Sequence, residues 1–223
     1  MTIALHRHLP TAALPASAGR GAAIVTGAAP VLLLATFLWH PPIPGQLPDA
    51  PAVAEAAASD PTRWGLVHLA TAVASAVVAM AFVAVHELLR AHGGHPSLVG
   101  VGSIVFGSVL YAVLPGLELA QVAAHETGAD MAATQEALTG WFRLVLLSGG
   151  VVFLVGAVAV AVAVNRAALL GGGRDALVAT AVVLFAVSRL VPVGVVQLYV
   201  QPAVALLALL PLAVQMWIRS PAR

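Results

Sequence analysis

Arg189 interrupts an apolar run, Leu177 to Val196, that otherwise reads as a membrane span. A charge inside hydrocarbon costs between about 3 and more than 10 kcal/mol, so such a residue faces a bundle interior or a wet cavity and needs a partner. Arg189 lies 15 residues beyond Arg174, or roughly 22 Å along a helix, and other polar residues reach a similar level. Glu118, Gln121 and His125 follow one another at three and four residues and so share one helical face, as do Gln197 and Gln201. Arg143 lies two residues inside Trp141, His68 one helical turn inside Trp64, and His40 at the end of another apolar stretch. With Arg189 facing Glu118, the pattern predicts a desolvated ion pair in an outward-facing polar pocket rimmed by Trp64 and Trp141. Its ligand-binding set is Arg189, Glu118, Arg143, His68, Gln121, His125, Gln197 and Gln201, and its arginines suit a small anionic or amphiphilic molecule. The same residues also have a purely structural reading: arginines snorkel, span ends are polar, and an Arg–Glu pair locks two helices together.

Histidine adds a second chemistry. His40, His68, His125 and Glu118 carry imidazole and carboxylate donors that suit zinc or copper, although no HExxH or comparable spacing joins them. His68 and His86 stand 18 residues apart, five turns, which gives one face and two membrane levels, as in transmembrane b-type cytochromes. Each haem b would need a facing histidine: His40 or His125 for His68, and only the loop residues His92 and His95 for His86. The first reading is therefore no cofactor, with haem b, copper or zinc as the alternative.

No catalytic residue is assigned. The chain has no cysteine, which removes disulfides, thiolate metal sites and cysteine nucleophiles, and no lysine, which removes Schiff-base chemistry. Gly171-Gly172-Gly173 lacks the lysine and preceding strand of a phosphate loop and reads as a flexible turn. No nucleic-acid partner is implied.

The elements that must position these groups are transmembrane helices. A chain with 61% hydrophobic and 9% charged residues lacks the polar surface of a soluble globule. The fold class is all-α, a polytopic bundle with six spans near residues 22–39, 64–89, 97–117, 141–164, 176–193 and 198–218. Tails at 1–21 and 219–223 flank this single membrane domain. Arg7, Arg20, Arg90, Arg166, Arg174, Arg219 and Arg223 fall on one side, which the positive-inside rule makes cytoplasmic along with both termini. The segment after the first span, His40-Pro41-Pro42-Ile43-Pro44, has no small-x-small pattern, so that span reads as an uncleaved anchor. Of the outer connections, the first turns alanine-rich at Ala52 to Ala58, and Thr127 to Asp130 fits a capping box ahead of a helix from Ala129 to Leu138. Together they predict a two-helix lid. Ala70, Ala74 and the Ser103-xxx-Gly107 pair supply small residues for close helix contact.

The stretch Asp60-Pro61-Thr62-Arg63-Trp64, followed by a span carrying His68-Leu69 and ending Glu87-Leu88-Leu89-Arg90, resembles uncharacterised bacterial six-span membrane proteins. The similarity covers roughly the first 120 residues and brings no functional residues with it. It implies a multi-pass protein of the bacterial cytoplasmic membrane, with the lipid bilayer as its first partner. Three function classes follow: binding or transport of a small molecule, an accessory subunit held to another membrane protein or to its own copies, and a histidine-based haem or metal protein.

Overall fold

The computed structural model describes residues 16–92 and 98–220. The tail residues His6, Arg7 and His8, the loop residue His95 and the terminal Arg223 lie outside the described residues. Within them the chain is helical: α1 (Ala16–Trp39), α2 (Ala50–Ser59), α3 (Pro61–Ala91), α4 (Leu98–Thr127), α5 (Met131–Ala167), α6 (Arg174–Leu190) and α7 (Gln201–Arg219). A π-helical turn, Val196–Val200, leads into α7.

Five helices are long and apolar enough to cross a membrane: α1, α3, α4, α5, and α7 with its π turn. The sequence reading counted six. The sixth, α6, has 17 residues and carries Arg174, Asp175 and Arg189, which leaves it short of a full apolar span. Packing nonetheless gives α6 a full place, because the neighbours run α1, α3, α4, α5, α6, α7 and back to α1, a closed ring of six helices. The outer faces of the ring are apolar, with Leu69, Val73 and Met80 on α3 and Leu147, Val151 and Val155 on α5 all exposed. Such an outer surface suits lipid, as the composition required.

Aspartates start three helices at one end of the ring. Asp49 accepts from Ala52 N at 3.1 Å, Asp60 from Arg63 N at 2.9 Å and Asp130 from Ala133 N at 3.0 Å, each satisfying an amide that has no partner within its helix. Asp49 thereby begins α2, the short surface helix expected at 52–58. The expected helix at 129–138 is not a separate element. Asp130 caps a continuous α5, and Thr127 turns back to bond Ala123 O at 2.8 Å, so no capping box forms.

At the opposite end the glycine triplet forms a turn held by Asp175, whose carboxylate accepts from Leu170 N and Gly171 N, each at 3.0 Å. Gln215 and Arg219 of α7 both donate to Leu169 O, pinning the end of α7 to this turn.

The tightest helix contact is between α4 and α5. A Cβ on Gly107 would stand 2.7 Å from Phe153 N and 2.8 Å from Gly149 O, and one on Gly156 would meet the Gly100 carbonyl. Close backbone approach through small residues is how helices associate where lipid supplies no hydrophobic drive. Inside the ring Phe82, Phe153 and Phe185 stack edge to face, with centroids 5.7 and 5.5 Å apart.

Candidate functional site

The polar groups gather at the end of the ring that carries α2. A cavity of about 100 Å³ lies there, room for several waters or a short aliphatic molecule. Ile43, Leu47 and Pro48 of the loop after α1, with Val53 of α2, form one side of it. Phe37, Trp64, Leu114, Phe142, Leu146 and Leu198 bring apolar walls from α1, α3, α4, α5 and the π turn. The loop is fastened to the segment between α6 and α7 by Leu47 N donating to Pro192 O at 2.8 Å and Gly194 N donating to Gly45 O at 3.0 Å. Gly194 is required at that crossing, since a Cβ there would run into the Ile43 carbonyl.

Into this apolar space the chain brings His40, His68, Thr71, Tyr111, Glu118 and Gln197. His40 and His68 touch: their Nε2 atoms are 3.4 Å apart and their rings cross at 72°. Each Nδ1 is fixed by a backbone carbonyl, His40 by Pro41 O at 2.6 Å and His68 by Trp64 O at 2.7 Å. Burial lowers the His40 pKa, and the nearby Arg63 guanidinium pushes the same way against the bond to Pro41. Arg63 itself donates to Trp39 O, from Nε at 2.8 Å and from its terminal nitrogen at 2.6 Å, closing the carbonyl end of α1.

Glu118 is held from two sides. Trp64 Nε1 donates to its backbone carbonyl at 3.1 Å, and Gln135 Nε2 donates to its Oε1 at 3.1 Å. Gln121 Nε2 in turn donates to Gln135 Oε1 at 2.8 Å, so three buried side chains form one line across α4 and α5. The Oε2 atom of Glu118 is buried and has no hydrogen-bond partner.

A second network lies beneath. The Tyr111 hydroxyl is 2.5 Å from Gln197 Oε1 and 3.2 Å from Gln201 Oε1. One hydroxyl proton serves one acceptor, so the Gln201 amide, whose nitrogen is otherwise unpartnered, fits better turned over to donate to Tyr111. Gln197 Nε2 reaches three carbonyls at the end of α6: Ser188 and Arg189 at 3.1 Å and Val191 at 2.9 Å. The π turn sets Gln197 into this position.

Comparison with protein-family models, with curated proteins and with solved structures finds no match. The chemistry of the site therefore rests on its geometry.

The expected ion pair does not form. Arg189 is completely buried, but among the described residues no carboxylate stands within 4 Å of it, and all three guanidinium nitrogens lack hydrogen-bond partners. Its guanidinium carbon instead sits 4.1 Å from the Phe153 ring centroid, 4.5 Å from Tyr111 and 4.8 Å from Phe185, a cage of aromatic faces. Arg189 is not part of the cavity wall.

Arg143 is exposed on α5, and Trp141, at 63% exposure, forms no rim. His125 shares a helical register with Glu118 and Gln121, yet it too is exposed. It therefore stands apart from His40 and His68, and among the described residues no three of the His, Asp and Glu side chains gather as metal ligands. The rings of His40 and His68 meet edge to face with centroids 5.0 Å apart, which leaves no slot for a macrocycle between them. His86 is buried towards the other end of α3, and His92 bonds Leu88 O. Of the sequence-derived set, Glu118, His68 and Gln197 line the cavity, while Gln121 and Gln201 support it from behind.

Proposed function

We propose that this chain is a six-span protein of a bacterial cytoplasmic membrane, with both termini inside. In this reading its cavity opens outward and binds, or passes on, a small amphiphilic molecule with an apolar body and a hydrogen-bond-donating head. The arginine distribution and the place of α6 in the closed ring support the topology. The observation that carries the ligand class is Glu118, a carboxylate of the cavity lining whose Oε2 is buried without a hydrogen-bond partner. A hydroxyl or ammonium group satisfies such an atom, and leaving it unmet costs about 1–3 kcal/mol. The two arginines that suggested an anion do not line the cavity, which moves the head-group chemistry from acceptor to donor.

Topology has a clean test because the chain has no cysteine. With six spans, Ser59→Cys is expected to react with a membrane-impermeant maleimide on intact cells, and Arg166→Cys and Ser220→Cys only after permeabilisation. Labelling of both Ser59→Cys and Ser220→Cys from outside would instead mean an odd number of crossings, and of Ser220→Cys alone an inverted orientation.

Ligand class is tested by thermal unfolding of the purified, chelator-treated protein with six-carbon probes. Hexylamine and hexanol are expected to raise the melting temperature and hexanoate to leave it unchanged. Leu146→Phe, which narrows the cavity, is expected to weaken both shifts. Glu118→Gln should weaken hexylamine about tenfold, the value of a hydrogen bond to a charged group. A wild-type protein indifferent to all three probes would overturn the reading.

A further inference from the structure

The two histidines of the cavity have a feature that an amphiphile does not account for. Each Nδ1 lies within hydrogen-bond distance of a carbonyl oxygen, 2.6 Å for His40 and 2.7 Å for His68. A carbonyl can only accept, so both Nδ1 atoms carry a proton. A neutral imidazole has one N–H, which leaves both Nε2 atoms as bare lone pairs, and these two acceptors face each other at 3.4 Å. That arrangement is repulsive unless a positive centre lies between them.

The spacing says which kind. A single proton shared between two nitrogens draws them to about 3 Å. Two nitrogens bound at about 2.0–2.1 Å to a tetrahedral ion stand roughly 3.3–3.4 Å apart, the edge of the tetrahedron. Fixing the other ring nitrogen on a backbone carbonyl is also how metal-ligating histidines are held in tautomer and orientation. His40 is anchored beside the end of α1 and His68 on α3, and the Trp64 ring lies against both, at 5.4 and 4.5 Å between centroids. The rings are therefore set in position by the fold.

We propose that His40 and His68 bind a divalent transition-metal ion of the zinc class through their Nε2 atoms. The proposal stands on the geometry of this pair and does not depend on the cavity accepting an amphiphile. No third His, Asp or Glu joins them among the described residues, so two coordination positions are left for water or for a donor entering the cavity. Two protein ligands are one fewer than the three that hold a catalytic zinc ion, so the ion at this site is readily exchanged. Copper(I) in linear coordination fits less well, because two nitrogens on opposite sides of an ion stand about 4 Å apart.

The test is cobalt titration of the chelator-treated, detergent-purified protein, followed by zinc competition. One equivalent of cobalt is expected to give the intense visible absorption of a tetrahedral ion, displaced by zinc. His40→Gln and His68→Gln should each weaken cobalt binding at least tenfold, and His125→Gln, on the exposed end of α4, should leave it unchanged. If either pair variant fails to fold, X-ray absorption of the zinc-loaded wild type decides: two imidazole nitrogens in the first shell support the site, and a shell without imidazole overturns it. Absence of stoichiometric cobalt or zinc binding, or equal affinity in both pair variants and wild type, would also overturn it. These readouts require no amphiphile, so their failure is distinct from failure of the ligand proposal.

Discussion

Replacing Gln197 by leucine is expected to lower the stability of the protein by about 2–5 kcal/mol. The helix α6 ends inside the protein, at Leu190, where Val191 N donates to the Ser188 carbonyl at 3.3 Å and Val193 N to that of Val191 at 2.9 Å. Gln197 Nε2 adds a side-chain donor to this end, reaching the Ser188, Arg189 and Val191 carbonyls at 2.9–3.1 Å, while its Oε1 receives the Tyr111 hydroxyl. Leucine has a similar volume and fills the space, so the loss isolates the polar contribution. Two amide protons and one acceptor disappear, and each buried group left unmet costs about 1–3 kcal/mol. Unfolding of the purified protein in a denaturing detergent series measures it. A Gln197→Leu protein as stable as wild type would mean that water reaches these carbonyls.

At Arg189 the expected sign is the opposite. Arg189→Met should leave stability unchanged or raise it by up to roughly 4 kcal/mol, whereas Arg189→Ala should lower it by about 2–5 kcal/mol. Among the described residues the buried guanidinium has neither a carboxylate within 4 Å nor a hydrogen-bond partner for any nitrogen. Its compensation comes from the rings of Phe153, Tyr111 and Phe185, worth about 0.5–2 kcal/mol each, against a desolvation cost of several kcal/mol for the ion. Methionine is shorter but flexible and apolar, and makes favourable sulfur–aromatic contacts of its own with these rings. Alanine leaves a void. A marked loss of stability in Arg189→Met would show that the charge itself holds the helices together.

How far the sequence foretold this differs from residue to residue. The apolar runs located every long helix to within a few residues at most ends, because composition and length dominate inside a membrane. The count of crossings was less legible: α6 reads as apolar beyond Leu177, but its charged first turn and Arg189 take it below span length. The short α2 was visible in its alanine run, while its Asp49 cap came only with the structure. The course of α5 was not, since nothing at 129–138 marks a helix that continues unbroken for 37 residues.

The site was half legible. Glu118, Gln121 and Gln197 were found from spacing alone. Tyr111, seven residues before Glu118 and hence on its face of α4, was readable by the same rule and was passed over because tyrosine looks unexceptional in an apolar span. Gln135 carried no local signal, as its role depends on the first turns of α5 folding back beside α4. Arg189 was rightly singled out as needing company, yet a sequence in which charges are few directs attention to carboxylates. The partner that forms is a set of aromatic faces drawn from three helices, a pairing that follows only from tertiary packing.

The most direct test of the cavity uses Trp64 as its reporter. Trp64 is completely buried and lines the cavity, while Trp39, Trp141 and Trp217 are exposed at 44%, 63% and 52% and can be changed to phenylalanine. In that single-tryptophan protein, chelator-treated, hexylamine is expected to change Trp64 emission along a saturating curve. Hexanoate should give no change, and Leu146→Phe should weaken the response. A change that rises linearly with amine and is the same in Leu146→Phe would show only partition into the detergent, and would contradict a ligand site at this end of the bundle.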